Sequence, residues 1–191
     1  MANLAKAMKA QATFTFHNTS SEEKRLCLFP GHFDVTNVIS NDGKYTVNQS
    51  NNQPIVDAGY ACDQMAYDNN GSDKRDGDSI TVTANSHRTR YADFLNYIKL
   101  NGLKVSKIRI QNLNSNVEMF DQEMEISASC IGGKAGSDFI QFSEYVSPNA
   151  YDRSFIVIDL ESMNLVLDNT TLAFLTFKGN AKLSMQFFLS E

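Results

Sequence analysis

The chain has 191 residues, 42% of them hydrophobic and 20% charged, which suits one sizeable core and argues against wholesale disorder. Its net charge of −5 argues against a surface that neutralises phosphates, so we expect no direct nucleic-acid binding. The three cysteines are an odd number without close spacing, which favours reduced thiols over a disulfide framework.

Residues 1–11 form the first segment and combine Leu4 and Met8 with two lysines and several alanines. Such a segment is too short for a stable isolated helix, so we predict an N-terminal arm or short helix. It would become ordered against a neighbouring subunit or an inner membrane, and a frayed terminus is the alternative. We see no apolar stretch with the length of a secretory signal or a membrane span, and we expect synthesis in the cytosol.

The next segment has the alternation of β-strands. Ala12, Phe14 and Phe16 oppose two threonines, and further strands are predicted at Leu26–Phe29, Phe33–Ile39 and Ser79–Ala84. The intervening region, Asn41–Gly77, is rich in Asn, Asp, Gly and Gln. We predict long loops there, around short strands near Tyr45–Val47 and Ile55–Val56.

One helix is predicted at about residues 89–101. Tyr91, Phe94, Leu95 and Ile98 follow the i, i+3, i+4, i+7 pattern, and Gly102 stands where a C-terminal cap would end the helix. The apolar stripe should lie on a sheet face or close the end of a barrel.

The second half of the chain is a series of strand patterns. Gln122–Cys130 and Ala181–Leu189 alternate with period two, and Cys130 falls on the apolar side. Thr171–Phe177 and Phe155–Leu160 are apolar at both parities, which predicts central strands covered on two faces.

A change of parity occurs within Leu103–Ile110. Leu103 and Val105 share one parity, whereas Ile108 and Ile110 share the other. A bulge near Ser106–Lys107 would let all four side chains face the core.

The search for reactive groups favours a non-enzyme. His17, His32 and His87 lack the spacing of a shared metal site, and the Gly-x-Ser-x-Gly nucleophile motif is absent. Glu123 and Glu125 share the polar face of a strand and could serve a hydrolase only within a cleft. We therefore predict no catalytic residue, no cofactor-binding residue and no metal site.

A binding module is the alternative function. Asp68–Asp78 gathers carboxylate and amide oxygens that suit calcium, although its spacing does not match the twelve-residue calcium loop. Tyr45, Tyr60 and Tyr67 could hold a glycan. The alternative is therefore a non-catalytic glycan- or calcium-binding β-sandwich.

Four segments carry a family resemblance: Lys107–Asn116, Met124–Ile131, Tyr145–Pro148 and Leu167–Phe174. In the succession of their strand patterns and turns, over roughly half of the chain, they resemble the jelly-roll capsid proteins of tailless icosahedral bacteriophages. The resemblance implies a non-enzymatic virion protein that assembles with copies of itself and with other capsid proteins. It implies no cofactor and a place in the virion, after synthesis in the host cytoplasm.

The fold prediction is thus all-β: an antiparallel jelly-roll sandwich with one helix, over residues 12–191, with a subdivision near residue 102 left open. A compact double jelly roll is the alternative. Double-barrel members of the family need about sixteen strands. The sequence gives ten or eleven, which favours a single-barrel shell, vertex or auxiliary capsid protein.

Overall fold

The structure is a computed structural model that describes residues 11–30, 33–41, 44–49, 60–66, 79–84, 90–113, 122–127, 137–142 and 155–191. Within these ranges lie strands and one helix, named here in chain order. They are β1 (Gln11–Asn18), β2 (Lys24–Pro30), β3 (Phe33–Asn41), β4 (Lys44–Gln49), β5 (Tyr60–Cys62), β6 (Gln64–Met65), β7 (Ile80–Ala84), α1 (Tyr91–Asn101), β8 (Lys104–Asn112), β9 (Glu123–Ser127), β10 (Ser137–Gln141), β11 (Phe155–Asp159), β12 (Leu167–Asp168), β13 (Leu172–Phe177) and β14 (Lys182–Ser190).

The strands form two large sheets and one small sheet. The six-stranded sheet has the order β11-β8-β14-β1-β7, with β12 also paired to β8. The five-stranded sheet has the order β10-β9-β13-β2-β6, and the small sheet has the order β3-β4-β5. All of these pairings are antiparallel except β2 with β6.

The strand order is that of a jelly roll. When β1, β2, β8, β9, β10, β11, β13 and β14 are counted from one to eight, the six-stranded sheet contains the order 1-8-3-6. The five-stranded sheet contains the order 2-7-4-5, so each sheet holds four of the eight strands. The predicted all-β jelly-roll sandwich with one helix is therefore confirmed.

The described ranges hold a single jelly roll. Strands β3 to β7 and α1 are inserted between its second and third strands. Both large sheets combine strands from before and after residue 102. We propose on this basis that residues 12–191 form one domain. The predicted arm, residues 1–11, lies outside the described residues except for Gln11, which begins β1.

The core lies between the two large sheets. In β14 the side chains alternate as predicted, so that Leu183, Met185 and Phe187 are buried. Phe14 and Phe16 of β1 also point into this core. Each fully buried side chain of this size contributes about 1.5–3 kcal/mol.

Helix α1 packs its apolar stripe against aromatic rings of both sheets. The ring centroid of Tyr91 lies 5.0 Å from that of Phe14 in the six-stranded sheet and 6.5 Å from that of Phe29 in the five-stranded sheet. The helix begins at Tyr91 rather than at Thr89, because the backbone of Arg90 is extended. Gly102 ends it in the left-handed conformation at φ 58°, which confirms the predicted cap.

One of the two central-strand predictions needs correction. Phe155–Leu160 was expected in a sheet centre, but β11 is an edge strand whose one neighbour among the described residues is β8. Thr171–Phe177 does lie centrally, since β13 is between β9 and β2.

The region Asn41–Gly77 is more regular than predicted. β4 covers the expected strand near Tyr45–Val47, but β5 and β6 were missed. Ile55–Val56 and Cys130 lie outside the described residues.

Candidate interaction surface

One edge of the six-stranded sheet is formed by β11 and β12 together. Both pair antiparallel with β8: Ile156 is opposite Ile110, and Leu167 is opposite Val105. The two short strands are thus parts of one edge strand, from which residues 160–166 leave and return.

The β-bulge predicted near Ser106–Lys107 lies at the same place. Lys107 pairs with Phe188 and Val105 with Leu189, which leaves Ser106 without a partner in the ladder. Its carbonyl accepts a hydrogen bond from the Leu160 N–H at 3.0 Å. Its hydroxyl donates to the Phe188 carbonyl at 3.2 Å. Ser106 therefore ties residues 160–166 to β14.

Residues 160–166 are held by their own hydrogen bonds. The Leu165 N–H donates to the carbonyl of the buried Leu160 at 2.9 Å, and the Ser162 N–H donates to Asp159 Oδ1 at 3.2 Å. Asn164 has a φ of 56°, a left-handed conformation that asparagine tolerates. The segment is therefore a defined turn on the sheet edge.

Large apolar side chains are exposed along this edge. Phe155 is 44% exposed and Val157 is 50% exposed, both on the outer face of β11. Met163 and Val166 are exposed in the segment 160–166 that follows β11. We call these four residues the exposed edge. Edge strands that carry apolar side chains are sites where another chain can dock.

Charged residues of both signs surround the exposed edge. The guanidinium carbon of Arg109 lies 3.4 Å from the centroid of the Phe155 ring. Lys107 is the ladder partner of Asp159. Lys104 Nζ lies 3.7 Å from Glu161 Oε1. The rim of the edge thus carries charges of both signs, although the whole chain carries −5.

At the opposite edge of the sandwich, a side chain bridges the two large sheets. The side-chain amide of the buried Gln64, in β6, accepts a hydrogen bond from the Ile80 N–H at 3.0 Å and donates one to the Ile80 carbonyl. Because Ile80 begins β7, this amide joins the edge strands of the two large sheets.

The residues considered for chemistry in the sequence do not meet in one site within the described residues. Gln141 donates a side-chain hydrogen bond to Glu123 Oε2. His17 Nε2 lies 3.1 Å from Asn180 Oδ1. Among the residues that the structure describes, no group of three or more His, Cys, Asp and Glu is placed to hold a metal ion.

Other candidates fall partly or wholly beyond the described ranges. Tyr45 lies in β4 and Tyr60 in β5. Tyr67, the Asp68–Asp78 segment and the side chain of Glu125 are not described, and neither are His32 and His87. In the described part, no helix combines the length and apolar character needed to cross a bilayer.

Cys27 and Cys62 are free and buried, as predicted for reduced thiols. Cys62 Sγ lies 3.5 Å from Met65 Sδ. Burial raises the pKa of the Cys27 thiol well above its ordinary value, and the hydrogen bond with Cys62 is the second-largest cause of this rise. Such a thiol stays protonated and unreactive at neutral pH, so we regard it as part of the packing.

Comparison with known proteins gives a distant similarity to a solved structure. No family model matches the chain, and no curated protein matches it. A solved structure of a viral major capsid protein, "Crystal Structure of the STIV MCP", is similar at a TM-score of 0.32 and 9% sequence identity. The match covers 94% of this chain and 87% of that chain.

Proposed function

We propose that the chain is a structural virion protein, a capsid subunit that self-assembles into an icosahedral bacteriophage shell. The observation that carries the proposal is the exposed edge, where Phe155 and Val157 are partly exposed on an edge strand. An apolar edge of this kind is a liability in a monomer and is protected when another subunit covers it.

The fold is compatible with this role but does not decide it. Jelly rolls build viral capsids and also lectin domains. The exposed edge favours a protein partner, because its apolar side chains offer a sugar few hydrogen bonds. The partners in this proposal are copies of the chain and other capsid proteins, and the net charge of −5 argues against nucleic acid as a partner.

Further contacts come from segments beyond the described ranges. In this proposal, residues 1–10 contact a neighbouring subunit or an inner membrane, and loops within Asn41–Gly77 contact adjacent copies. The protein is made in the host cytoplasm and resides in the virion.

The test is assembly of the purified full chain. Mass photometry over a concentration series and electron microscopy at high concentration should reveal oligomers and closed particles. Val157→Lys should weaken self-association at least about tenfold, because it replaces a buried apolar contact with a charge at each interface.

Thr83→Lys is the matched control. Thr83 is exposed on β7, at the other edge of the same sheet, so this variant adds the same charge away from the exposed edge. It should assemble as the unmodified chain does. A chain that stays monomeric at all concentrations contradicts the proposal. Binding on a glycan array that is abolished by a chelator would favour the alternative binding module.

A further inference from the structure

We infer that the exposed edge docks a second copy of this chain by antiparallel pairing of β11 with β11 of that copy. The inference rests on the proposed function, since it specifies the partner and geometry of that contact. It joins two six-stranded sheets into one continuous sheet.

The backbone of β11 is suited to strand addition. β11 pairs with β8 on one side, and no strand within the described ranges pairs with its other side. On an edge strand, alternate residues direct their N–H and C=O groups away from the sheet, where a new strand can bond them.

The side-chain pattern selects a register. Phe155 and Val157 share the outer face, whereas Ile156 points into the core. A two-fold axis perpendicular to the sheet, midway between Ile156 of one copy and Ile156 of the other, keeps the outer faces of both strands on the same side. It places Phe155 of each copy opposite Val157 of the other, a pairing of aromatic and β-branched side chains that stabilises antiparallel sheets.

The neighbouring register is less favourable. An axis through Val157 would place Phe155 opposite Asp159 of the second copy, which sets an apolar ring against a carboxylate. The pattern therefore points to the axis at Ile156.

Charge favours a second copy over a different protein as the partner. Each copy carries −5, so two copies repel over most of their surfaces. The rim of the exposed edge instead carries both signs, with the cations Lys104, Lys107 and Arg109 and the carboxylates Asp159 and Glu161. A second copy brings the same mixed set, so its cations can approach the carboxylates of the first. A strongly acidic or strongly basic partner would find no such match.

The contact between Gln64 and Ile80 disfavours open growth of the six-stranded sheet. Growth of that sheet in one direction would require β11 of one copy to pair with β7 of the next. The Ile80 backbone groups at the start of β7 are already bonded by Gln64. An isologous contact, β11 with β11, leaves these bonds intact and ends at two copies instead of forming an open filament.

The first experiment reads out strand pairing in the unmodified chain. Hydrogen–deuterium exchange is measured on dilute monomer and on concentrated oligomer of the full chain. Amides of β11 should exchange at least about tenfold more slowly in the oligomer, because pairing bonds them. Amides of β7 should exchange equally in both. Oligomers with unchanged exchange in β11 would overturn this inference while leaving the proposed function standing.

The second experiment tests the register by disulfide trapping. Phe155→Cys and Val157→Cys chains are oxidised separately and as a mixture, and intact mass spectrometry counts the cross-linked dimers. The mixed dimer should predominate over both homodimers, because residues 155 and 157 are directly opposite across the axis. A predominant Val157→Cys homodimer would overturn the register. If the unmodified chain forms no oligomer at any concentration, the proposed function itself fails, and this inference fails with it.

Discussion

Gln64 hydrogen-bonds through its side-chain amide to both backbone polar groups of Ile80, across the gap between the two large sheets. The amide thus acts as a strand residue would, accepting from the N–H and donating to the C=O. Because Gln64 is buried, water cannot replace either bond. This contact joins the edge strands β6 and β7, whereas β11 and β10 are the edge strands on the other side of the two sheets.

We expect Gln64→Leu to lower the free energy of unfolding by about 2–4 kcal/mol, because it removes two buried hydrogen bonds at once. Urea unfolding measures the difference. Gln111→Leu is the control, because it makes the same chemical change at a side chain that is half-buried on the outer face of β8. It should alter stability by less than about 0.5 kcal/mol. Equal losses in the two variants would contradict the role of Gln64.

Gln64→Glu should make stability depend on pH. A protonated carboxyl can accept and donate as the amide does, whereas a buried carboxylate can only accept and is desolvated. The native pKa of Glu at this position should therefore lie above the unfolded value of about 4.3. The stabilisation is present below about pH 4.3 and is lost as pH rises through the native pKa. Urea unfolding between about pH 4 and about pH 8 measures how the free energy of unfolding depends on pH. A pH profile parallel to that of the unmodified chain would contradict the prediction.

The free energy of unfolding should fall at alkaline pH partly because of Tyr91 and Cys27. Burial raises the pKa of each group well above its ordinary value. The unfolded chain releases these protons near about pH 10 and about pH 8.5, whereas the native chain retains them. Their contribution is therefore full below those values and falls as pH rises, by up to about 1.4 kcal/mol per pH unit for each group.

Variants at the two positions should flatten this decline in different windows. Cys27→Ala should act from about pH 8.5 and Tyr91→Phe from about pH 10. Tyr91→Phe should also cost about 1–2 kcal/mol at neutral pH, because the Tyr91 hydroxyl donates to the Leu28 carbonyl at 2.9 Å. Urea unfolding from pH 7 to about pH 11 measures both effects. Identical slopes in all three chains would contradict the assignment.

Deletion of Ser106 should convert the bulge into a regular ladder and keep the burial pattern of β8. Without Ser106, Val105 and Ile108 are two positions apart, so Leu103, Val105, Ile108 and Ile110 share one parity and still face the core. The deletion removes the hydrogen bonds of Ser106 with Leu160 and Phe188, and it should cost about 1–3 kcal/mol. Ser106→Ala removes only the hydrogen bond to Phe188 and should cost about 1 kcal/mol. Urea unfolding of both variants measures this, and loss of the folded state in the deletion variant would contradict the prediction.

Local patterns predicted the parts of the fold that depend on local physics. The parity change around Ser106 predicted the bulge, and Gly102 predicted the end of α1. The position of β11 could not be predicted in the same way, because apolar residues at both parities fit a buried strand and an exposed edge strand equally. What distinguishes them is the neighbour in the sheet, which is a long-range property. The bond between Gln64 and Ile80 was missed for the same reason, since nothing in the sequence near Gln64 indicates it.

Removal of residues 1–10 should separate folding from assembly. The ladder of β1 begins with Gln11 opposite Phe188, so this truncation leaves every described strand complete. We expect the free energy of unfolding to change by less than about 0.5 kcal/mol. Assembly should be impaired, because the proposed arm contact with a neighbouring subunit or membrane is lost. Urea unfolding and particle counts by electron microscopy measure the two properties on the same preparation. Replacing Lys6 and Lys9 by alanine in the full-length chain provides the control that keeps the arm's length, and undiminished particle formation by the truncated chain would contradict the arm's role.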